Sequence, residues 1–390
     1  MNGVVTAAER AVLDWLAQRE AAMLGLLEAL VNIDSGSADK SGVDAVGKEL
    51  LGFLGEHGIG CDVIANDRYG DAIRTRVGEG TAEPILLMGH RDTVFPRGEV
   101  ARRRFHVGDG RGYGPGCADM KSGLVMNAFV LAAFAACGGA AAPLVGLFTG
   151  DEEIGSPFSR PVIENEARGA CAVFNAEPSR PGGKVVIGRK GGLFMRLDVT
   201  GKAAHSGANI ADGISAIEEI AHKIIALHAL TDLDKGITLN VGTIAGGQTL
   251  NTVAPHASCE FDLRFVQHAD RDAAMAAIER IVATPHVKGA TAQLRVNSEF
   301  LPLVQNAASK ALYEHYVACA AGLGLVVEGI HTGGCADSGF AASVGAPTLC
   351  ATGPTGARAH SPEEYVELAS MLPRAQTLAL AIMRLDVAER

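Results

Sequence analysis

Residues 84–93 read PILLMGHRDT, and this stretch decides the fold. A short apolar run without charge is typical of a strand that is buried on both faces of a sheet. His90 and Asp92 follow the run directly, so this strand would deliver an imidazole and a carboxylate at its carboxyl end. In open α/β sheets, ligands bind at that edge. The stretch therefore predicts a sheet of buried strands with a site at one end.

Two more apolar runs lead into acidic residues in the same way. LVGLF at 144–148 precedes Glu152 and Glu153, and ACAVF at 170–174 precedes Glu177. Carboxylates at the ends of several neighbouring strands would converge on one place. We expect these side chains to form a common site.

Helical patterns separate these strands. Apolar residues recur at helical spacing over residues 8–31, a further helix is expected over 121–136, and residues 346–350 supply another short strand. Short buried strands alternating with helices predict an α/β fold with a mostly parallel sheet and helices on both faces.

The pattern changes between residues 190 and 299. CEFDLRF at 259–265 alternates strictly between apolar and polar residues, which is typical of a sheet with one solvated face. Strands are also expected at 193–199 and 237–244, and helices at 214–230 and 271–282. We therefore predict a smaller α+β domain at 190–299, inserted into a catalytic domain formed by 1–189 and 300–390.

The composition excludes some partners. The chain has 390 residues and a net charge of −10, so it lacks the basic surface that nucleic-acid binding requires. Arg102, Arg103 and Arg104 form the densest basic cluster, which we interpret as a solvated loop. The eight cysteines form no C-x-x-C pair and are expected to be reduced, and the N-terminus has no signal pattern; both predict a cytoplasmic protein.

Residues 122–150 carry no charge and are long enough to span a bilayer. Gly138, Gly139 and Pro143 interrupt the segment, so we predict a buried helix followed by a buried strand, with no contact to a membrane.

Taken together, the motifs resemble a known family. In order, they are His-x-Asp at 90–92, GPGCADMKSG at 114–123, DEEIGS at 151–156, AEP at 176–178 and His-Ser at 360–361. This series resembles the cocatalytic-zinc exopeptidases, which include glutamate carboxypeptidase, acetylornithine deacetylase and the aminoacylases. The resemblance covers nearly the whole chain and is strongest to the bacterial glutamate carboxypeptidases.

The resemblance implies a role for each motif residue. His90 and Glu177 would bind one metal, Glu153 and His360 the other, and Asp119 would bridge them. Two zinc ions per subunit are expected, with Mn²⁺ or Co²⁺ as possible replacements. Asp92 would orient His90, Glu152 would be the general base, and a metal-bridging hydroxide would be the nucleophile.

The chemistry of the side chains agrees with these roles. Imidazole and carboxylate are the ligands expected at a catalytic zinc site. A carboxylate two residues from a ligating histidine can fix its tautomer. Adjacent residues such as Glu152 and Glu153 cannot easily reach one ion together, which favours one ligand and one base. Ser361, Pro362, Glu363 and Glu364 read as a capping box, so we predict that a helix begins directly after His360.

The resemblance also implies a homodimer formed through the inserted domain, which would act as a lid and dimerisation domain. His205, in GKAAHSGAN, would reach the partner's site to stabilise the oxyanion, and Asn251 would join it. Arg264 matches a family arginine, and the alternative for it is a salt bridge with Glu260 or Asp262.

Substrate recognition departs from the glutamate carboxypeptidase pattern. Lys184 and Thr332 fall where two carboxylate-binding residues are expected, but Phe300 occupies the place of the third, an arginine. Phenylalanine cannot replace the bidentate contact of arginine with a carboxylate. Either an apolar or aromatic group is bound there, or Arg358 or Arg295 replaces the missing anchor.

We therefore expect a two-metal hydrolase that cleaves an amide bond next to a carboxylate, as a carboxypeptidase or an N-acyl amino acid deacylase does. Its substrate would be a small amide or peptide. The alternative is an aminohydrolase that removes an amine from an aromatic acid on the same metal site.

Overall fold

The computed structural model describes residues 5–387. The helices are α1 Ala7–Ala17, α2 Glu20–Val31, α3 Lys40–Glu56, α4 Glu99–Arg102, α5 Ser122–Cys137, α6 Ser159–Ala167, α7 Ala216–His228, α8 His268–Ala283, α9 Ala307–Gly322, α10 Ser338–Ser343 and α11 Met371–Met383. The strands are β1 Cys61–Ile64, β2 Ala72–Val77, β3 Ile85–His90, β4 His106–Gly108, β5 Arg111–Tyr113, β6 Leu144–Thr149, β7 Ala172–Asn175, β8 Pro178–Ser179, β9 Val185–Arg189, β10 Gly191–Thr200, β11 Thr238–Gly246, β12 His256–Phe265, β13 Thr291–Phe300, β14 Gly329–Thr332, β15 Thr348–Cys350, β16 Gly353–Ala357 and β17 Tyr365–Glu367.

The chain divides into two compact units. The first contains the residues up to Gly188, Gln305–Thr332 and the residues from Ala336 onward. The second contains Arg189–Val304 and the short segment Gly333–Cys335. The sequence predicts an insertion at 190–299. The second unit contains these residues, the residues after β13 up to Val304, and Gly333–Cys335.

The first unit is built on an eight-stranded sheet with the order β1-β2-β6-β3-β7-β15-β9-β14. The central strands β6, β3, β7 and β15 are parallel, whereas β1 and β2 pair antiparallel to their neighbours and β9 pairs antiparallel to β15. Every residue of β3, β6 and β7 is buried, as their uninterrupted apolar sequences predict. The sheet is therefore parallel at its centre, where the predicted site residues emerge, and mixed towards its edges.

The uncharged segment after Lys121 forms a core helix. The stretch Cys117–Cys137 is long and apolar enough to cross a membrane, but 83% of its most apolar window is buried inside the protein. Its residues from Ser122 to Phe134 are all buried, without a polar face. A helix that is apolar all round belongs in the centre of a large core.

The second unit is an antiparallel sheet with the order β11-β12-β10-β13. Cys259, Phe261, Leu263 and Phe265 of β12 are buried, so the strict alternation predicted from CEFDLRF is observed. They share an apolar core with residues of α7 and α8. Strands β11 and β13 are the two edges of this sheet.

Two predicted helices differ from the observed structure. Residues 8–31 form α1 and α2 rather than one helix, and the Arg19 guanidinium at the break donates to the Trp15 carbonyl at 3.0 Å. The helix predicted after His360 is wrong. Ser361 begins a turn instead, and β17 follows, paired with β16 and β5. Pairing with two strands outweighs a local capping pattern.

Candidate metal centre

The predicted site residues come from several elements of the first unit. His90 ends β3, Glu152 and Glu153 follow β6, and Glu177 follows β7. These three strands are neighbours in the sheet and parallel, so their carboxyl ends lie at one edge.

Asp119 and His360 come from outside this row of strand ends. Asp119 lies in the tight turn Cys117–Lys121, whose Asp119–Met120 peptide bond is cis. His360 lies in the connection between β16 and β17 and has a φ of 63°. Residues other than glycine seldom adopt this conformation. The surrounding structure therefore holds the backbone of His360 in a conformation that this residue type rarely adopts.

Asp119 is shared by two groups of potential ligands, His90–Asp119–Glu177 and Asp119–Glu153–His360. Its Oδ1 lies 3.3 Å from His90 Nε2, and its Oδ2 lies 3.4 Å from His360 Nε2. His90 Nε2 is 3.6 Å from Glu177 Oε1, and His360 Nε2 is 3.1 Å from Glu153 Oε2. The predicted ligands thus meet in two sets with one common carboxylate.

Asp92 organises the residues around it. It is fully buried, and its Oδ1 lies 3.4 Å from His90 Nδ1. Its carboxylate also accepts hydrogen bonds from the Ser37 hydroxyl at 2.6 Å and from the backbone N–H groups of Glu152 and Glu153, each at 3.1 Å. The Asp92 carboxylate therefore fixes the acidic pair, and His90 is held beside it by a hydrogen bond of 3.0 Å between His90 Nδ1 and the Asp92 backbone carbonyl.

Glu152 is close to both sets but belongs to neither. Its side chain is buried, and its Oε2 lies 3.8 Å from His90 Nε2. Burial raises the pKa of Glu152 well above its ordinary value, and the carboxylates of Glu177, Asp337 and Glu153 add to this effect, whereas His90 opposes it. A carboxylate in such surroundings holds a proton readily, as a general base must.

The donor set fits divalent cations. Glu153 Oε1 is buried and has no hydrogen-bond partner among residues 5–387, which is costly for a charged oxygen. Hydrogen bonds to Asp119 and Glu153 raise the pKa of His360 to about 10, so the carboxylates of the site draw positive charge onto it. The excess negative charge and the imidazole and carboxylate donors are what Zn²⁺ and related ions require.

Glu364 is a residue of the site that the sequence analysis missed. Its buried carboxylate accepts hydrogen bonds from the backbone N–H groups of Gly116 at 3.0 Å and of Ala118 and Asp119 at 2.9 Å each. Burial raises its pKa to about 7. Glu364 thereby holds the turn that presents Asp119. The predicted capping box contained this residue but gave it the wrong partners.

Two predicted substrate residues also lie in the first unit. Lys184 forms a salt bridge with Glu328 at 2.9 Å and is about one-third exposed. Thr332 is the last residue of β14. Neither belongs to the two ligand groups around Asp119.

The other predicted site residues belong to the second unit. His205 and Asn251 lie close together, because Ser206 N–H donates to the Asn251 carbonyl at 3.0 Å. His205 Nδ1 accepts from the N–H groups of Gly207 and Ala208, each at 3.1 Å. In the neutral ring this leaves the proton on Nε2, which is therefore available as a donor.

Arg264 and Phe300 are packed inside the second unit. Arg264 forms the predicted alternative, a salt bridge with Asp262 at 2.7 Å, and its guanidinium lies over the Phe194 ring. Phe300 is 7% exposed and contacts the same ring edge-on, with 6.5 Å between the centroids. Their roles in substrate binding stay predictions.

Comparison with known proteins adds an independent line of evidence. Residues 86–384 match peptidase family M20/M25/M40. The chain is 31% identical over 375 residues to carboxypeptidase G2 of Pseudomonas sp. (strain RS-16). The aligned region covers 93% of this chain and 89% of that protein. It is 30% identical over 255 residues to succinyl-diaminopimelate desuccinylase of Rhodopseudomonas palustris (strain BisA53), over 60% of this chain and 63% of the relative.

A solved structure has the same fold. It is the M20 family metallo-carboxypeptidase Sso-CP2 from Sulfolobus solfataricus, with a TM-score of 0.78 at 17% identity, covering 93% of this chain and 99% of that one. The matched family and the relatives agree with a metal-dependent site. The chain therefore belongs to peptidase family M20/M25/M40 and is a metal-dependent hydrolase of amide bonds.

Proposed function

We propose that the chain is a two-metal hydrolase that cleaves an amide bond next to a carboxylate. The observation that carries this proposal is the position of Asp119, whose two oxygens face separate ligand sets. His90 and Glu177 would hold one cation, Glu153 and His360 the other. Zn²⁺ is the ion we expect from these donors, and Mn²⁺ or Co²⁺ can bind the same residue types.

Glu152 is the proposed general base. When bound, the cations polarise the scissile carbonyl and acidify water. Glu152 then accepts a proton from the attacking water and passes it to the leaving nitrogen. The hydrogen bond from its backbone N–H to Asp92, at 3.1 Å, keeps it beside the ligand sets. Asp92 acts as a positioning residue, because it fixes the Glu152–Glu153 pair and His90 together.

Relatives named as a carboxypeptidase and a desuccinylase support an amide substrate. We propose that Lys184 and Thr332 contact the substrate carboxylate. Phe300 offers no charge to a carboxylate, so we propose that an apolar or aromatic group is bound near it.

We further propose a homodimer formed through the second unit, with His205, Asn251 and Arg264 serving the active site of the partner subunit. The free Nε2–H of His205 suits it to donate a hydrogen bond to an oxyanion. Edge strand β11 and the outer face of α7 carry exposed apolar residues, which supports an interface there.

Metal stoichiometry tests the proposal. Purified protein should bind two Zn²⁺ ions per chain, measured by mass spectrometry of the metals after dialysis, and should hydrolyse members of a panel of N-acyl amino acids and folate-like glutamates. Asp119→Asn should lose metal from both sets and lose activity, because the bridging carboxylate belongs to both. Asp109→Asn is the control, since Asp109 is an exposed turn residue. A fully active protein with one metal per chain would contradict the two-metal site.

A further inference from the structure

The first unit contains a cavity of about 640 Å³ that is rich in arginine. The residues that line it include Arg102, Arg103, Arg104, Arg111 and Arg358. The sequence predicts a solvated loop for the first three, and the fold gathers them with Arg111, a few residues further on, and with Arg358, which is distant in sequence. Five positive side chains around one cavity are unusual in a chain with a net charge of −10.

The acidic residues nearby do not neutralise this charge. Glu99 pairs with both Arg102 and Arg103, Glu367 lies opposite Arg111 on the paired strand, and Glu363 is the acidic residue in the cavity lining. Arg104 and Arg358 form no ion pair among the residues that the structure describes. The cavity therefore keeps an excess of positive charge.

Two of the guanidinium groups are held in place by stacking on aromatic rings. Arg111 stacks on the Tyr365 ring at 4.0 Å, and Arg103 lies over the Phe95 ring at 4.7 Å. Stacking of this kind uses the planar face of the guanidinium and leaves its edge N–H groups able to donate. Arg103 already donates through Nε to Glu99 and through Nη1 to the Pro362 carbonyl, so Arg104, Arg111 and Arg358 are the groups that can bind an anion. Arginine is suited to carboxylate and phosphate oxygens because it can contact two of them at once.

The cavity shares a loop with the candidate metal centre. Arg358, Pro362 and Glu363 line the cavity, and His360 lies between them in sequence. Arg103 donates to the Pro362 carbonyl at 2.9 Å, which ties the arginine cluster to this loop. A molecule in the cavity would thus lie beside the segment that presents a predicted metal ligand.

We propose that this arginine cavity binds an anionic group, carboxylate or phosphate, that the amide substrate carries at a distance from the cleaved bond. The inference rests on the proposed function and narrows it, because it identifies the substrate class as amides with an additional anionic group. It also assigns Arg358 to a place where a carboxylate can be anchored despite Phe300. The volume is in the range of small-molecule sites, which agrees with a substrate of modest size.

Direct binding tests this without turnover. Metal-loaded protein is titrated by calorimetry with propane-1,2,3-tricarboxylate and with methyl phosphate, which separates the two kinds of anion. At least one probe should bind, and its Kd should rise tenfold or more in the double variant Arg104→Gln, Arg111→Gln. The matched control is Arg10→Gln, Arg68→Gln, which removes two exposed arginines outside the cavity. Arg104→Gln alone, at an exposed residue, should weaken binding by a smaller factor and guards against misfolding of the double variant.

Kinetics supply a second arm. Two amides with the same scissile bond are compared, one with a free distal carboxylate and one with its methyl ester. The double variant should raise KM for the acid severalfold and leave kcat/KM for the ester unchanged. Unchanged Kd values in both variants, or no binding of either probe to the unmodified protein, would overturn the inference. If neither the unmodified protein nor any variant cleaves either amide, the proposed function is wrong. The calorimetric titration would still show whether the cavity binds an anion.

Discussion

At the scale of single residues, Glu364 illustrates how a site depends on groups that bind no metal. Its carboxylate accepts hydrogen bonds from three backbone N–H groups, those of Gly116, Ala118 and Asp119, at the start of the turn that carries Asp119. Buried donors without a partner are costly, so this turn would not keep its conformation if the carboxylate were removed.

We therefore expect Glu364→Gln to weaken the site. The amide group of glutamine would turn a donor towards Gly116 N–H, which loses its acceptor and should destabilise the protein by about 1–3 kcal/mol. Metal affinity should fall by about 10–100-fold, as for other residues that orient a ligand. Glu363→Gln, at the exposed neighbour, is the control for denaturant unfolding and metal titration. Equal metal affinity in both variants would refute the positioning role.

The sequence predicts the residues that meet around Asp119 but not the groups that support them. His90, Glu153 and Glu177 could be predicted because each follows an apolar strand, and the order of motifs added Asp119 and His360. Glu364 could not, because the amides it binds are 245 to 248 residues earlier in the chain. Such a contact leaves no local pattern.

At the scale of elements, helix α5 lies close to the segment that carries Glu177. A Cβ atom added at Gly123 would lie 2.0 Å from the carbonyl oxygen of Ala176, the residue before Glu177. The backbone of α5 and the end of β7 can approach this closely only because residue 123 is glycine.

Gly123→Ala should therefore destabilise the protein by about 1–3 kcal/mol or more, which is the cost of other overpacked cores. It should also lower metal affinity, because the added methyl group would displace Glu177. Gly25→Ala is the control, because Gly25 is also helical and a Cβ there meets no atom within 4 Å. That substitution should stabilise α2 by up to about 1 kcal/mol. Chemical denaturation of both variants checks the pair, and equal stabilities would contradict the close approach.

Elements whose sequence pattern agrees with their packing were predicted well. Strands β3 and β6 and helix α5 up to Phe134 are buried and carry mostly apolar residues, so the pattern and the structure coincide. The prediction of a helix after His360 was wrong because a capping pattern reflects local contacts only. Val366 of β17 is buried in pairing with two strands, and this tertiary contact decides the conformation.

At the scale of the whole molecule, the apolar surface of the second unit leads to the predicted dimer. Ile217 and Ile225 lie eight residues apart on α7, which places them on one face of the helix, and they are 44% and 70% exposed. Ile244 on edge strand β11 is 60% exposed. An unpaired edge with apolar neighbours is a ready site for association.

Sedimentation should therefore find a dimer at micromolar concentration. The double variant Ile225→Lys, Ile244→Lys should dissociate this dimer. Turnover should then fall, because His205 would no longer reach the partner's site. Val63→Lys on strand β1 of the first unit is the control, since Val63 is also about half exposed. A fully active monomer would contradict both the dimer and the proposed role of His205.

The division of labour between Glu152 and Glu153 is the central claim, and one variant tests it most directly. In Glu152→Gln, both metals should remain bound, because no ligand is removed. Turnover should fall by about 10²–10⁴-fold, because the proton acceptor is lost. Metal content and kcat are measured on the same preparation, with Glu153→Gln beside it, which should lose metal. If Glu152→Gln loses metal along with activity, Glu152 is a ligand and the account of the site is wrong.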